Sequence, residues 1–190
     1  MGDRDISEHS ELATRARGGD RRAFTELIEQ TKLPLYRFVR RYVGNEDDAY
    51  DIVQESFIAA WGALRRYDES RSFLTWLRSI ALNKCRDHAR RQAVRTKLRT
   101  LFAFTMVDRD DPFEARDADS EPRLDRLDVA IAELPTFYKE PLLLTAISGL
   151  SHKEAAAQLN TSSKAIEMRV RRARQRLEKA LSPPSEEGNG

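Results

Sequence analysis

An all-α fold, made of two small helical units joined by a flexible linker with a helix-turn-helix in the second unit, follows from three observations. Apolar residues recur at intervals of three and four along both halves of the chain. The apolar–polar alternation of a half-buried strand extends over no useful length. Cap residues, glycines and prolines stand where the apolar stripes begin and end. The 190 residues are 40% hydrophobic and 34% charged, with a mean hydropathy of -0.64. That composition suits one ordinary domain or two small ones, and it is apolar enough for small cores.

The first unit covers roughly residues 8–92. Asp20 caps a helix whose apolar positions are Ala23, Phe24, Leu27 and Ile28. Pro34 is expected to kink or interrupt it, after which Leu35, Phe38, Val39 and Tyr42 resume the stripe and Gly44 ends it. Asn45 or Asp47 caps the next helix, with Asp48 in the first turn where the helix dipole favours it. Its inner face is Ala49, Ile52, Val53, Ser56 and Ala60. A loop from Arg65 to Ser72 precedes a helix that begins near Phe73, buries Leu74, Leu77, Ile80 and Ala81, and runs out into the basic stretch RDHARRQAVR.

Residues 93–122 read as a linker that turns from apolar to acidic and contains Pro112 and Pro122. Its apolar patch, Leu101 to Val107, fits either a helix or a docked segment. The second unit covers 123–181. Leu124, Leu127, Val129, Ile131 and Leu134 supply the inner face of its first helix. Pro135 opens a second helix with Tyr138, Leu142, Leu143 and Ile147 inward, and Gly149 ends it. Ser151 and Glu154 form a capping box for a short helix containing Ala155, Ala156 and Leu159. Asn160, Thr161 and Ser162 make a turn, and a last helix runs from about Ser163 to Leu181. Residues 182–190 read as a disordered tail.

The net charge of +2 hides a segregated pattern. Residues 61–100 hold eleven Lys/Arg against three Asp/Glu, and residues 151–181 hold eight against three. Between them, residues 101–140 hold five against eleven. Blocks of like charge repel themselves, so their segregation faces charged partners. Arginine makes up 26 of the 33 cations, and its planar fork suits phosphate and guanine.

Several function classes are disfavoured. No run approaches the ~20 apolar residues that span a bilayer, and the N-terminus has no secretory apolar stretch, so no membrane insertion is expected. The single cysteine, Cys85, cannot form an intramolecular disulfide and suits a reducing compartment, so the expected location is cytoplasmic. Cys85 and the scattered His9, His88 and His152 form no metal-binding pattern. Nothing resembles a nucleophile–base pair, so no catalytic residue, no metal and no cofactor is expected.

The segment SHKEAAAQLNTSSKAIEMRVRRARQRL carries the sharpest signal. Ala155 and Ala156 allow two helices to cross closely. The second helix turns Ile166, Val170, Ala173 and Leu177 inward and Lys164, Glu167, Met168, Arg171, Arg172 and Gln175 outward. In a DNA-binding helix-turn-helix, the start of that helix meets base edges in the major groove. Lys164, Arg171 and Arg172 suit phosphate or guanine, and Glu167 can accept from cytosine. Thr161, Ser162 and Ser163 stand where hydroxyls and helix N-terminal amides hold phosphate. A plain helical hairpin with a charged outer face has the same outline.

Residues 61–91 interleave rings with cations: Trp61, Arg65, Arg66, Tyr67, Arg71, Phe73, Trp76, Arg78, Lys84, Arg86, Arg90 and Arg91. Single-stranded nucleic acid needs both, since rings stack on bases while cations hold the backbone. Trp61 and Phe73 also read as core residues at helical spacing, a reading that fits Tyr67 less well. The helix DAYDIVQESFIAAW turns Asp51, Gln54, Glu55 and Ile58 outward, an acidic and partly apolar face suited to a basic protein partner.

Three segments in order resemble one family, the extracytoplasmic-function sigma factors of bacterial transcription. DDAYDIVQESFIAAW is similar to the family's polymerase-docking helix, and SFLTWLRSIALNKCRDHARR to its −10 reading and melting helix. LPTFYKEPLLLTAISGLSHKEAAAQLNTSSKAIEMRVRRARQRL is similar to its −35 reading helix-turn-helix. The resemblance covers roughly 12–92 and 124–181. It implies that Asp51, Gln54, Glu55 and Ile58 face core RNA polymerase. It implies that the loop from Arg65 to Ser72, with Arg66, Tyr67, Arg71 and Ser72, holds a flipped base of the non-template strand. Trp76, Arg78, Asn83, Lys84 and Arg86 would stand near the −10 element. Thr161, Ser162, Ser163, Lys164, Glu167, Met168, Arg171 and Arg172 would stand at the −35 element of promoter DNA. Glu167 departs from relatives with Lys or Arg there, which leaves the −35 preference open. The acidic linker would thread a positive polymerase channel, and an anti-sigma factor would be a further partner. An ordinary helix-turn-helix regulator that dimerises on a palindrome, and a helical adaptor without DNA contacts, remain the competing readings.

Overall fold

The computed structural model describes residues 3–103 and 126–182, and every regular element among them is helical. The order is α1 (Asp3–Arg17), α2 (Arg21–Val43), α3 (Glu46–Ala63), a 3₁₀ turn (Leu64–Arg66), α4 (Phe73–Ala103), α5 (Arg126–Glu133), α6 (Thr136–Leu142) with a π turn (Leu143–Ile147), α7 (His152–Gln158) and α8 (Ser163–Leu181).

Local chemistry explains the boundaries. Asp20 caps α2 by accepting from the backbone of Arg22 and Ala23 at 2.9 and 3.1 Å, and these bonds, with Arg15 alongside, hold its carboxyl below the usual carboxylate range. Gly44 ends α2 at φ 76°, a left-handed conformation that glycine adopts without a Cβ penalty. Of the two candidate caps for α3, Asn45 is the one used, accepting from Asp48 N at 2.9 Å. Ser151 and Glu154 complete their capping box.

The structure departs from the sequence expectations at four places. First, α2 runs through Pro34 as one helix. Both halves of its apolar stripe pack against α3 and α4, and this burial outweighs the lost N–H. Second, α1 stands ahead of the expected helices; Leu12, Ala13 and Ala16 are buried on it, and it packs on α2 and α4. Third, residues 93–103, read as the start of the linker, continue α4. Fourth, Leu127 and Val129, expected inside, are each 44% exposed, because the face α5 buries is Ala130, Ile131 and Leu134. The remainder of the linker, residues 104–125, and the tail from 183 lie outside the described residues.

The two units do not keep separate cores. One apolar cluster runs from Leu27, Phe38, Ile52, Phe73 and Leu82 in the first to Leu143, Leu144, Ile166 and Ala173 in the second. α5 lies against α2. Polar bonds cross the same seam: Arg41 pairs with Asp128, Tyr42 and Arg86 both reach Glu140, and Lys139 donates to Tyr42 O at 2.8 Å. Among the described residues, no helix is long and apolar enough to cross a membrane.

Candidate nucleic-acid interface

α7 and α8 form the expected helix-turn-helix. Ala155 and Ala156 are buried in it, and α7 packs on α8. The turn is tight: Asn160 adopts φ 50°, and Thr161 N donates to Ala156 O at 2.9 Å. Ser162 caps α8 through Ala165 N at 3.2 Å, so its hydroxyl hydrogen remains free to donate outward. Ile166, Val170, Ala173 and Leu177 are buried, as their spacing predicts.

Opposite that stripe, Ser163, Lys164, Glu167, Met168, Arg171 and Arg172 are exposed together on one face, with Thr161 half-buried beside them. Lys164 and Glu167 stand 3.8 Å apart with both side chains open to solvent, a pairing weak enough to yield to a ligand. Two cations of α8 point elsewhere. Arg169 lies 3.9 Å from the centre of the Phe137 ring, and Arg176 lies 4.9 Å from that of Tyr138, both on α6. They brace the helix rather than its outer face.

The first-unit residues are distributed differently. The loop after α3 is an ordered turn: Asp68 accepts from Ser70 N at 3.0 Å, and the Ser70 side chain together with that backbone bond holds its carboxyl below the usual range. Arg66 and Arg71 are exposed and Ser72 half-buried. Tyr67, expected to be the ring open to a base, is instead only 5% exposed. Its hydroxyl donates to Arg71 O at 2.6 Å, and burial pushes its ionisation up to about 12. Its ring packs on Phe73 and Trp76 at 5.6 and 5.1 Å between centroids. Trp76 is the half-buried member of that stack. It lines a groove of about 800 Å³ whose walls are Arg71, Thr75, Ser79 and Asn83 on one side and Ser151, Glu154 and Gln158 on the other.

Along α4, the candidate cations are engaged. Arg78 is 8% exposed, donates to Ile147 O at 2.8 Å, and has its ionisation lowered to about 10 by burial. Arg86 forms a two-pronged pair with Glu140, Nε to Oε1 at 2.8 Å and Nη2 to Oε2 at 2.6 Å, and its ionisation is raised by that bond. Asn83 is exposed and accepts from Arg86 at 3.3 Å. Lys84 stands 3.2 Å from Glu55.

The acidic face of α3 divides in two. Asp51, Gln54 and Ile58 point outward, with Ile58 74% exposed. Glu55 turns toward α4, meeting Lys84 and, at 3.9 Å, Arg91. Tyr50 and Trp61 join the outward set. Trp61, read as core, rests on Phe24 at 4.8 Å yet leaves 39% of its surface exposed. The spacing of 50, 54, 58 and 61 places all four on one helical face, the signal from which this apolar extension could be read. Among the described residues, no group of three or more His, Cys, Asp or Glu side chains is arranged to hold a metal ion.

Comparison with known proteins gives a concordant picture. Residues 27–95 match the family model of Sigma-70 region 2, and residues 124–177 match that of Sigma-70, region 4. The chain is 38% identical over 181 residues to the RNA polymerase sigma factor CnrH of Cupriavidus metallidurans, covering 92% of this chain and 95% of that protein. It is 36% identical over 170 residues to the ECF RNA polymerase sigma factor SigC of Mycobacterium tuberculosis, covering 87% of each. Among solved structures, CnrH in complex with the cytosolic domain of CnrY superposes with a TM-score of 0.62 at 35% identity, covering 92% of this chain and 97% of CnrH. The sigma factor RpoE of Bartonella quintana shares the fold at a TM-score of 0.64 and 22% identity.

Proposed function

This chain belongs to the extracytoplasmic-function class of the sigma-70 family, and from that premise we propose that it binds core RNA polymerase in the cytoplasm and directs it to specific promoters. The observation that carries this reading is the pairing, in one short chain, of an open basic recognition helix with a groove where the half-buried Trp76 ring lies beside the exposed Arg71 and Asn83. An ordinary regulator needs only the first.

In this reading α8 enters the major groove of the −35 duplex, with Lys164, Glu167, Met168, Arg171 and Arg172 at base edges and phosphates, and Thr161, Ser162 and Ser163 at the backbone. The loop with Arg66, Arg71 and Ser72, supported by Tyr67 and Trp76, receives a base extruded from the non-template strand near −10. Capture offsets the few kcal/mol that unstacking costs. Asn83, Lys84 and Arg86 hold the strand beside it. Asp51, Gln54 and Ile58, with Tyr50 and Trp61, dock on polymerase, and the acidic segment after α4 threads its positive channel. No bond is made or broken by the chain itself, so its role is that of an initiation factor rather than an enzyme. CnrH is solved with CnrY, and RpoE with the anti-sigma factor NepR; an anti-sigma factor that covers these faces is the corresponding partner here.

The test is in vitro transcription with purified core polymerase on a promoter library, with this chain as the only specificity factor. Start sites sharing a −35 and a −10 motif are expected. A library transcribed identically with and without the chain would refute the assignment.

A further inference from the structure

The loop after α3 carries two carboxylates among its cations. Between positions 65 and 72 stand Arg65, Arg66 and Arg71, but also Asp68 and Glu69. Each carboxylate repels a polyanionic strand that comes within a screening length, about 10 Å at 0.1 M salt. Resting on the −10 role given above to this loop, we propose that Arg17 of α1 is the counter-ion of Glu69. It cancels a charge that the melted strand would otherwise meet, and so sets how tightly that strand is held.

The way α1 ends delivers Arg17 to the loop. Leu12, Ala13 and Ala16 are buried and anchor α1, which packs on α2, on α4 and on the 3₁₀ turn that opens the loop. Arg15 Nε and Nη2 donate to one oxygen of Asp20 at 3.2 and 2.8 Å, while the other oxygen caps α2. One carboxylate thus ties the end of α1 to the start of α2. Gly19, at φ 98°, makes the reversal between them. Arg17 is the last residue of α1, and its Nη2 lies 2.7 Å from Glu69 Oε1. The match to Sigma-70 region 2 begins at residue 27, so this cation comes from outside the matched segment.

The pair is not what shapes the loop. Tyr67 Oη donates to Arg71 O at 2.6 Å, Tyr67 N to Leu64 O at 3.1 Å, Arg71 N to Asp68 O at 3.1 Å and Ser70 N to Asp68 Oδ1 at 3.0 Å. These bonds close the loop without Glu69. Both side chains of the pair are 40% exposed, a setting in which an ion pair adds little to stability. Its consequence is therefore electrostatic. Asp68 is engaged by Ser70 and stands 3.9 Å from Arg71. Glu69 is exposed two residues from Arg71, which lines the Trp76 groove. With Arg17 beside Glu69, the loop's own arginines dominate the field that an arriving phosphate meets. Arg17 acts through Glu69, as a positioning residue.

The full-length chain in complex with core polymerase tests this. The probe is a fluorescein-labelled single strand carrying the −10 non-template sequence selected from the promoter library, and affinity is read by anisotropy. Arg17→Ala is expected to weaken strand binding roughly fivefold at low salt, and the deficit is expected to shrink as added salt screens the loop. Arg17→Lys keeps the charge and is expected to bind as wild type. Glu69→Gln removes the carboxylate and is expected to bind at least as tightly as wild type, alone or combined with Arg17→Ala. This rescue separates a counter-ion from a mechanical brace, which either substitution breaks equally. Unchanged binding by Arg17→Ala, a Glu69→Gln variant as weak as Arg17→Ala, or a double variant that stays weak overturns the proposal. If circular dichroism shows Arg17→Ala unfolded, Arg17→Lys and Glu69→Gln decide instead, and weakened binding by either overturns it. Failure of the loop assignment looks different. A wild-type complex that binds the −10 strand no better than a scrambled one rejects the role of the loop and the counter-ion with it. Specific binding by wild type that is insensitive to Arg17→Ala rejects the counter-ion alone.

Discussion

Tyr67 and Trp76 divide between them a job that their sequence positions would give to either. Tyr67 is a prop: its ring is buried and its hydroxyl closes the loop on Arg71 O. Trp76 leans on that prop and faces the groove. Tyr67→Phe deletes only the loop-closing bond and is expected to cost about 1 kcal/mol of stability in urea unfolding. Trp76→Ala is expected to lower permanganate reactivity of thymines near −10 in the polymerase complex while closed-complex footprints stay unchanged. Equal footprints of open DNA in wild type and Trp76→Ala would remove the ring from the melting step.

The helices that carry the two outer faces make separable predictions. On α8, Arg171→Ala is expected to weaken promoter binding by the polymerase complex and to reduce the slope of log affinity against log salt by about one, the signature of one lost phosphate contact. Association with core, read by pull-down, is expected to stay as in wild type. On α3, position 55 and position 58 are not equivalent. Ile58 is outward, so Ile58→Asp is expected to lower core association with the melting temperature nearly unchanged. Glu55 braces α4 through Lys84 and Arg91, so Glu55→Lys sets like charges together and is expected to lower the melting temperature as well. Identical melting behaviour of the two variants would show that the brace contributes nothing.

Because both units share one core, ionisations at the seam bear on the stability of the entire chain. Burial, with Glu140 nearby, pushes the Cys85 thiol from an ordinary 9.0 up to about 12, and burial pushes Tyr67 from 10.0 up to about 12. Tyr42 is raised as well, by burial and by Glu140. Each is an acid whose folded value lies above its unfolded one. Between the two values the unfolded chain has lost a proton that the folded chain keeps, so stability falls as pH rises. The decline begins near pH 9 with Cys85. Above pH 10 the tyrosines add to it, while Arg78 and Lys139, cations whose folded values burial lowers, oppose it. Each group fully within its window contributes about 1.4 kcal/mol per pH unit. Urea unfolding from pH 7 to 11 checks this. Cys85→Ala is expected to delay the onset by about one pH unit, and a flat wild-type profile between pH 9 and 10 would contradict the burial of Cys85.

Much of the fold was legible because its signals are local. Asp20, Gly44, Ser151 with Glu154, and the stripe Ile166–Val170–Ala173–Leu177 act within one or two helical turns, and each stands where its spacing places it. The outward face of α8 was legible for the same reason: once four positions of a helix are buried, the opposite side is open. That Pro34 does not interrupt α2, and that Trp61 stays part-exposed, could not be read because each outcome depends on what the neighbouring helix offers. At Pro34 the flanking stripe found enough burial to carry the helix through, and at Trp61 the Phe24 ring covers only part of the indole. Composition and order along the chain established that cations and rings gather on α4. Which of those cations are free was set by folding in three dimensions. Arg86 meets Glu140 across 54 positions and Arg78 meets Ile147 across 69, distances over which no periodicity or motif carries information. A charge is shielded by whatever the folded chain brings beside it, and that depends on the packing of helices rather than on neighbours in sequence.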